Sequence, residues 1–200
     1  MTTRQPNILM FMSDQHSPKF LGCYGDKTIP TPYLDAMAER SVVFDNAYCS
    51  SPLCVPSRMG LMSGRHCHQQ SVWNNSHHLR SDIPTFAHGL GIAGYRTVLV
   101  GRMHFLGEDQ HHGFQERRLG DLSPSLVARN ASIERYRGYW GCIEAIQSAG
   151  PGRSHDLEFD QAVAMEACRV IYDHEVSGDP RPLCLVVSFF SPHDPWKVPK

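Results

Sequence analysis

The residues best suited to chemistry start with Cys54, in the run Ser51-Pro52-Leu53-Cys54-Val55-Pro56-Ser57-Arg58 that continues through Met59, Leu61 and Met62 to Ser63-Gly64-Arg65. Pro56 marks a first helical turn, because a helix start leaves its N–H groups unpaired and proline has none to lose. Cys54 then stands just before a helix N-terminus, where unpaired N–H groups and a partial positive charge suit an anion. Arg58, one turn on, adds a fork of fixed charge. A cysteine in such a place is either a nucleophile of lowered pKa or a buried thiol beside a structural proline. Reactivity needs an electropositive pocket that one residue does not reveal, so a lone cysteine is read first as the buried thiol.

Asp14 and Gln15 are a second candidate pair. They close the apolar run 7–13, which reads as a strand buried on both faces. Ligands collect at that end of a strand in an open α/β sheet. Asp14 is there either a ligand for a hard cation or the cap of the following turn.

The elements that must position these groups follow in order. Leu34, Met37 and Ala38 repeat at helical spacing from Pro32, Val42-Val43-Phe44 read as a short strand, and 71–75 as a loop. A helix is expected over 84–93, closed by Gly94, and a buried strand over Thr97–Val100 that delivers Gly101-Arg102-Met103-His104. Residues 119–156 are rich in Gly, Ser, Pro and Arg, with poor periodicity, the composition of a pocket wall or flap. Arg117, Arg118, Arg129, Arg135 and Arg137 read as solvated basic surface that could draw in an anion. The longest helix is expected over 156–176, stopped by Gly178 and Pro180. A buried strand over 183–190 then ends in Ser191-Pro192-His193-Asp194-Pro195.

Composition narrows the class. Two hundred residues support one well-buried core, and 41% hydrophobic with 20% charged residues describe a globular chain without a membrane span. A net charge of −1 carries no nucleic-acid footprint. The seven cysteines show neither C-x-x-C spacing nor an even framework. The apolar run Ile8–Met12 is too short for a signal-peptide core, so a reducing, cytoplasmic location is expected.

The words C-x-P-S-R and Ser63-Gly64 resemble the signature of the type I sulfatases, whose cysteine is oxidised to Cα-formylglycine. Other family words recur in order: P-N-I-L with a following Asp14-Gln15, a G-K-x-H word read here as Gly101 to His104, and an H-P-H-x-P word read as Ser191 to Pro195. Residues 105–118 resemble the choline-sulfatase-like branch. The resemblance implies an α/β fold, an alkaline-phosphatase-like, mostly parallel sheet flanked by helices and incomplete at its C-terminal end. Residues 1–200 correspond to the N-terminal portion of the catalytic domain.

The same resemblance assigns Cys54, Arg58, His104 and His193 to catalysis, Arg102 to the ester anion, and Asp14, Gln15 and Cys54 to one divalent cation, calcium first, with manganese or magnesium as alternatives. Asn74 matches a substrate contact of the phosphonate monoester hydrolases, although paired loop asparagines are more often turn residues. Three positions depart from the family. Gln15 replaces an acid and removes one negative charge, Arg102 replaces a lysine, and Ser191 replaces a histidine. Guanidinium can still meet two oxygens of a tetrahedral anion. The implied function is hydrolysis of a sulfate monoester through a metal-bound formylglycine hydrate. Phosphonate monoester or phosphodiester hydrolysis, or an inactive truncated fragment, are the alternatives. Implied partners are a small anionic ester and a formylglycine-generating system, with neither nucleic acid nor membrane, and with homo-oligomerisation open.

Overall fold

A computed structural model describes residues 5–121 and 143–199. Its elements run β1 (Ile8–Met12), α1 (Pro32–Ala38), α2 (Cys54–Ser63), α3 (Cys67–Gln70), α4 (Phe86–Ile92), β2 (Arg96–Gly101), β3 (Glu116–Arg118), α5 (Ile143–Gln147), β4 (Gly150–Pro151), α6 (His155–Ser177), β5 (Leu183–Ser188) and β6 (Lys197–Val198). Four strands form one sheet in the order β1-β5-β2-β3, and every neighbouring pair is parallel. Met12 and Gly101 both align with Ser188, so three strands finish level and their loops leave from one edge.

The sheet carries a core on each face. Leu99 and Val186 pack with Val55, Met59, Met62 and Ala87 of α2 and α4, whereas Val98, Val100, Leu185 and Val187 pack with Val163, Ala167 and Val170 of α6. Alternation along β2 and β5 serves both layers, which is why these strands read as unbroken apolar runs. Gly101 ends β2 at φ 90°, and a Cβ there would come within 2.3 Å of the Ser188 carbonyl oxygen. Only glycine lets the two strand ends touch.

Several expectations need correction. β1 is not buried on both faces. It is the outer strand, and Leu9 and Phe11 stay 49% and 59% exposed, while Met10 and Met12 pack inward. Val42–Phe44 form no strand: their side chains are exposed, and among the described residues no strand pairs with them. Cys54 is not ahead of its helix but is its first residue, with Leu53 as N-cap and Pro56 third. Within the stretch expected to be irregular, 143–147 are helical. Arg129, Arg135 and Arg137 lie outside the described residues. Arg117 and Arg118 are not a free basic surface: Arg117 bonds Gln110, and Arg118 pairs with Glu116 at 2.8 Å. The long helix runs as expected, from the Ser154 cap, whose Oγ accepts the Leu157 N–H, to Gly178 at φ 65°. Among the described residues no helix is long and apolar enough to cross a membrane.

Candidate active site

Level strand ends bring together groups far apart in the chain. Asp14 follows β1, Arg102 and His104 follow β2, His193 follows β5, and Cys54 opens α2, whose Met59 sits in the core beneath the same edge. Asp14 is buried, and its Oδ2 accepts from Arg58 Nη2 at 2.8 Å and from Arg102 Nε at 3.0 Å. Arg58 also donates through Nη1 to the Arg102 carbonyl at 2.7 Å and to Ser188 Oγ at 2.9 Å, so one guanidinium ties three strand ends together. Burial alone would raise the Asp14 pKa, but the charges of Arg102 and Arg58 outweigh it and hold the carboxyl below the usual range. Asp14 Oδ1 faces Cys54, whose thiol donates to it across 3.6 Å.

His193 completes this group. One ligating atom each from Asp14, Cys54 and His193 lies within 4.8 Å of the others. Burial presses the His193 pKa down, yet the hydrogen bond to Cys54, the Asp194 carbonyl and the charges of Asp14 and Asp194 lift it above its ordinary value. Nδ1 sits 2.9 Å from the Asp194 carbonyl oxygen and 3.0 Å from its Oδ1. His104 is tuned the other way. Burial and the adjacent Arg102 charge bring its pKa from 6.5 to about 4, and its Nδ1 lies 2.9 Å from Arg102 Nη2.

Two residues from the sequence-based set are placed differently. Asn74 is exposed and its Oδ1 accepts the Ser76 N–H at 2.8 Å, the plain turn role. Gln15 is exposed at φ 52°, beside the buried Asp14 but outside its hydrogen bonds. Three supporting residues escaped the sequence reading. Asn75 Oδ1 accepts the Val55 N–H at 2.9 Å and so caps the cysteine helix. Asp121 accepts the His104 N–H at 2.6 Å and lies 3.7 Å from Arg102 Nη1. Asp160 accepts the N–H groups of Phe190 and Ser191. Asn75 is adjacent to the singled-out Asn74 and could have been weighed as a cap for an uncapped helix start; nothing local marks the two acids.

The donor set suits a hard cation at Asp14 and at position 54. A carboxylate oxygen fits calcium, magnesium or manganese, whereas a thiol does not, and oxidation at position 54 would exchange sulfur for oxygen. The carboxylates of Asp14 and Asp121 already offset the charges of Arg58 and Arg102. A dication would therefore need further acidic oxygens around it.

The sulfatase family model matches residues 6–200, and the chain belongs to that family. It is 39% identical over 204 residues to a choline-sulfatase of Rhizobium meliloti (strain 1021), covering 98% of this chain and 40% of the relative. It is 35% identical over 108 residues to an N-acetylglucosamine-6-O-sulfatase of Bacteroides thetaiotaomicron, covering 54% of this chain and 19% of that protein. The fold is shared with the phosphonate monoester hydrolase of Agrobacterium radiobacter at a TM-score of 0.69 and 22% identity, over 98% of this chain and 43% of that one. The chain thus spans less than half the length of these relatives. Its sheet is the alkaline-phosphatase-like one, mostly parallel and flanked by helices.

Proposed function

We propose that this chain is the N-terminal part of a sulfatase catalytic domain that hydrolyses a sulfate monoester, with Cys54 oxidised to formylglycine. The observation that supports it best is the convergence of Cys54, Asp14 and His193 within 4.8 Å beside the paired arginines. A hydrated aldehyde at position 54 supplies one hydroxyl to attack sulfur and a second whose deprotonation expels sulfate. A divalent cation, held by Asp14 and residue 54, supplies Lewis acidity that makes such a hydroxyl more acidic.

The remaining work falls to side chains. Arg102, fully buried with its three nitrogens on Asp14, Asp121 and His104, meets the oxygens of the ester as those contacts open and neutralises the charge that otherwise repels a nucleophile. Arg58, fixed by three strand ends, holds Asp14 ionised and aimed at position 54. His193, whose neighbours raise its pKa, is the group that protonates the departing oxygen. His104 is neutral at physiological pH. Its Nδ1 accepts from Arg102, because guanidinium has only donors. When sulfate draws the guanidinium away, the ring can carry its proton on Nδ1 and offer its other nitrogen as base. We place the protein in a reducing, cytoplasmic compartment, in keeping with seven cysteines whose spacing makes neither a C-x-x-C word nor an even framework.

Peptide mass spectrometry of the Cys54 segment, together with turnover of 4-nitrophenyl sulfate by the full-length protein, tests the proposal. An aldehyde at position 54 with sulfate release is expected. A free thiol with no turnover would refute it, and faster cleavage of an aryl phosphonate monoester would move the substrate class to phosphonates.

A further inference from the structure

Asp160 stands in the second turn of α6 and reaches the chain just past β5. Its Oδ1 accepts the Phe190 N–H at 2.6 Å and its Oδ2 accepts the Ser191 N–H at 2.8 Å. Both donors lie beyond the strand, where the sheet no longer supplies acceptors. Phe190 is fully buried, its ring centroid is 4.7 Å from that of His193, and its carbonyl accepts the His193 N–H at 3.2 Å. Side chain and carbonyl of one residue therefore form both the floor and the tether of the imidazole.

The Arg102 guanidinium also lies over the Phe190 ring, 4.5 Å from its centroid. Arg102 is held separately by Asp14, His104 and Asp121. His193 leans on Phe190 and Asp194. Loosening Phe190 should therefore disturb the histidine more than the arginine.

We infer that Asp160 is a positioning residue for His193: by gripping the main chain of Phe190 and Ser191 from the long helix, it sets the imidazole where a leaving oxygen is protonated. The inference rests on the reading of His193 as the acid for that oxygen. Protonation matters most for a poor leaving group, so the signature is a split between substrates rather than a uniform loss.

The test uses full-length enzyme, 4-nitrophenyl sulfate as the good leaving group and phenyl sulfate as the poor one. Asp160→Asn keeps the shape but turns an NH₂ group towards one of the two N–H donors. It should lower kcat/KM about tenfold on phenyl sulfate and by less than about twofold on 4-nitrophenyl sulfate. In a His193→Ala background the same change should cost nothing more. Equal losses on both substrates, or an undiminished loss in the His193→Ala background, would mean that Asp160 only braces the fold, and would overturn the inference. Should Asp160→Asn be recovered unfolded, Asp160→Glu, which keeps the charge on a longer arm, is expected to give the same split and is read by the same criteria. A wild-type enzyme inert to both sulfates would remove the underlying reading and this inference together, which is distinguishable from an active wild type whose variant shows no split.

Discussion

The loops leaving β2 and β5 start side by side, at Gly101 and Ser188, and each delivers a buried histidine, yet they tune those histidines in opposite directions. After β2, burial and the Arg102 guanidinium bring His104 to about 4. After β5, the bond to Cys54, the Asp194 carbonyl and two carboxylates outweigh burial and lift His193 above 6.5. Neighbours favour the neutral ring at one histidine and the protonated ring at the other, so surroundings rather than residue type set them apart.

Experiments that break this pairing come first, and those that refine it follow. On the proposed mechanism, Cys54→Ala in the full-length protein removes the nucleophile and should lower turnover of 4-nitrophenyl sulfate by at least about 10⁴-fold, with the circular-dichroism spectrum unchanged. His193→Ala should cost roughly 10²–10³-fold on phenyl sulfate and far less on 4-nitrophenyl sulfate. It should also erase the alkaline limb of kcat/KM: the wild-type rate falls as pH rises through a pKa above 6.5, because the proton to be donated is lost. His104→Gln should cost about 10²-fold on both substrates alike and leave that limb in place.

A smaller effect concerns stability. His104 is neutral in the folded chain down to about pH 4, whereas an unfolded histidine titrates near 6.5. The unfolded state therefore binds more protons between these values, and unfolding free energy should rise with pH from about 4 to 6.5. Urea melts of His104→Gln should show a flatter slope there, with a remainder from His112, whose pKa burial also lowers. The least effect is expected from Asn75→Ala, which uncaps the Val55 N–H and should cost about 1 kcal/mol in a thermal melt.

Much of this was legible in the residues. Unbroken apolar runs gave away β2 and β5, and polar residues closing them marked the site, because a strand buried on both faces has little other use for them. Periodicity and the Gly178 stop located α6. What was hidden depended on neighbours distant in sequence. The apolar run of β1 does not say whether a strand lies on one side or two, and the triplet Val42–Phe44 has strand-forming side chains but, among the described residues, no strand beside it. Asp121, Asn75 and Asp160 act on backbone N–H groups 17, 20 and 30 residues away, and no motif announces such a contact. His104 and His193 are alike as letters; only their surroundings set them apart.

Arg58 also acts as a gauge of assembly. Its three acceptors, Asp14, Ser188 and the Arg102 carbonyl, belong to chain segments that meet only when the sheet has its native order and alignment. A slip of β1 by one residue would strand a buried cation away from its counter-charge, a penalty on the order of 3–5 kcal/mol. Errors in strand alignment are thus punished at the loop-bearing edge itself, and a chain that has mispaired its sheet cannot bring Asp14, Arg58 and Arg102 together.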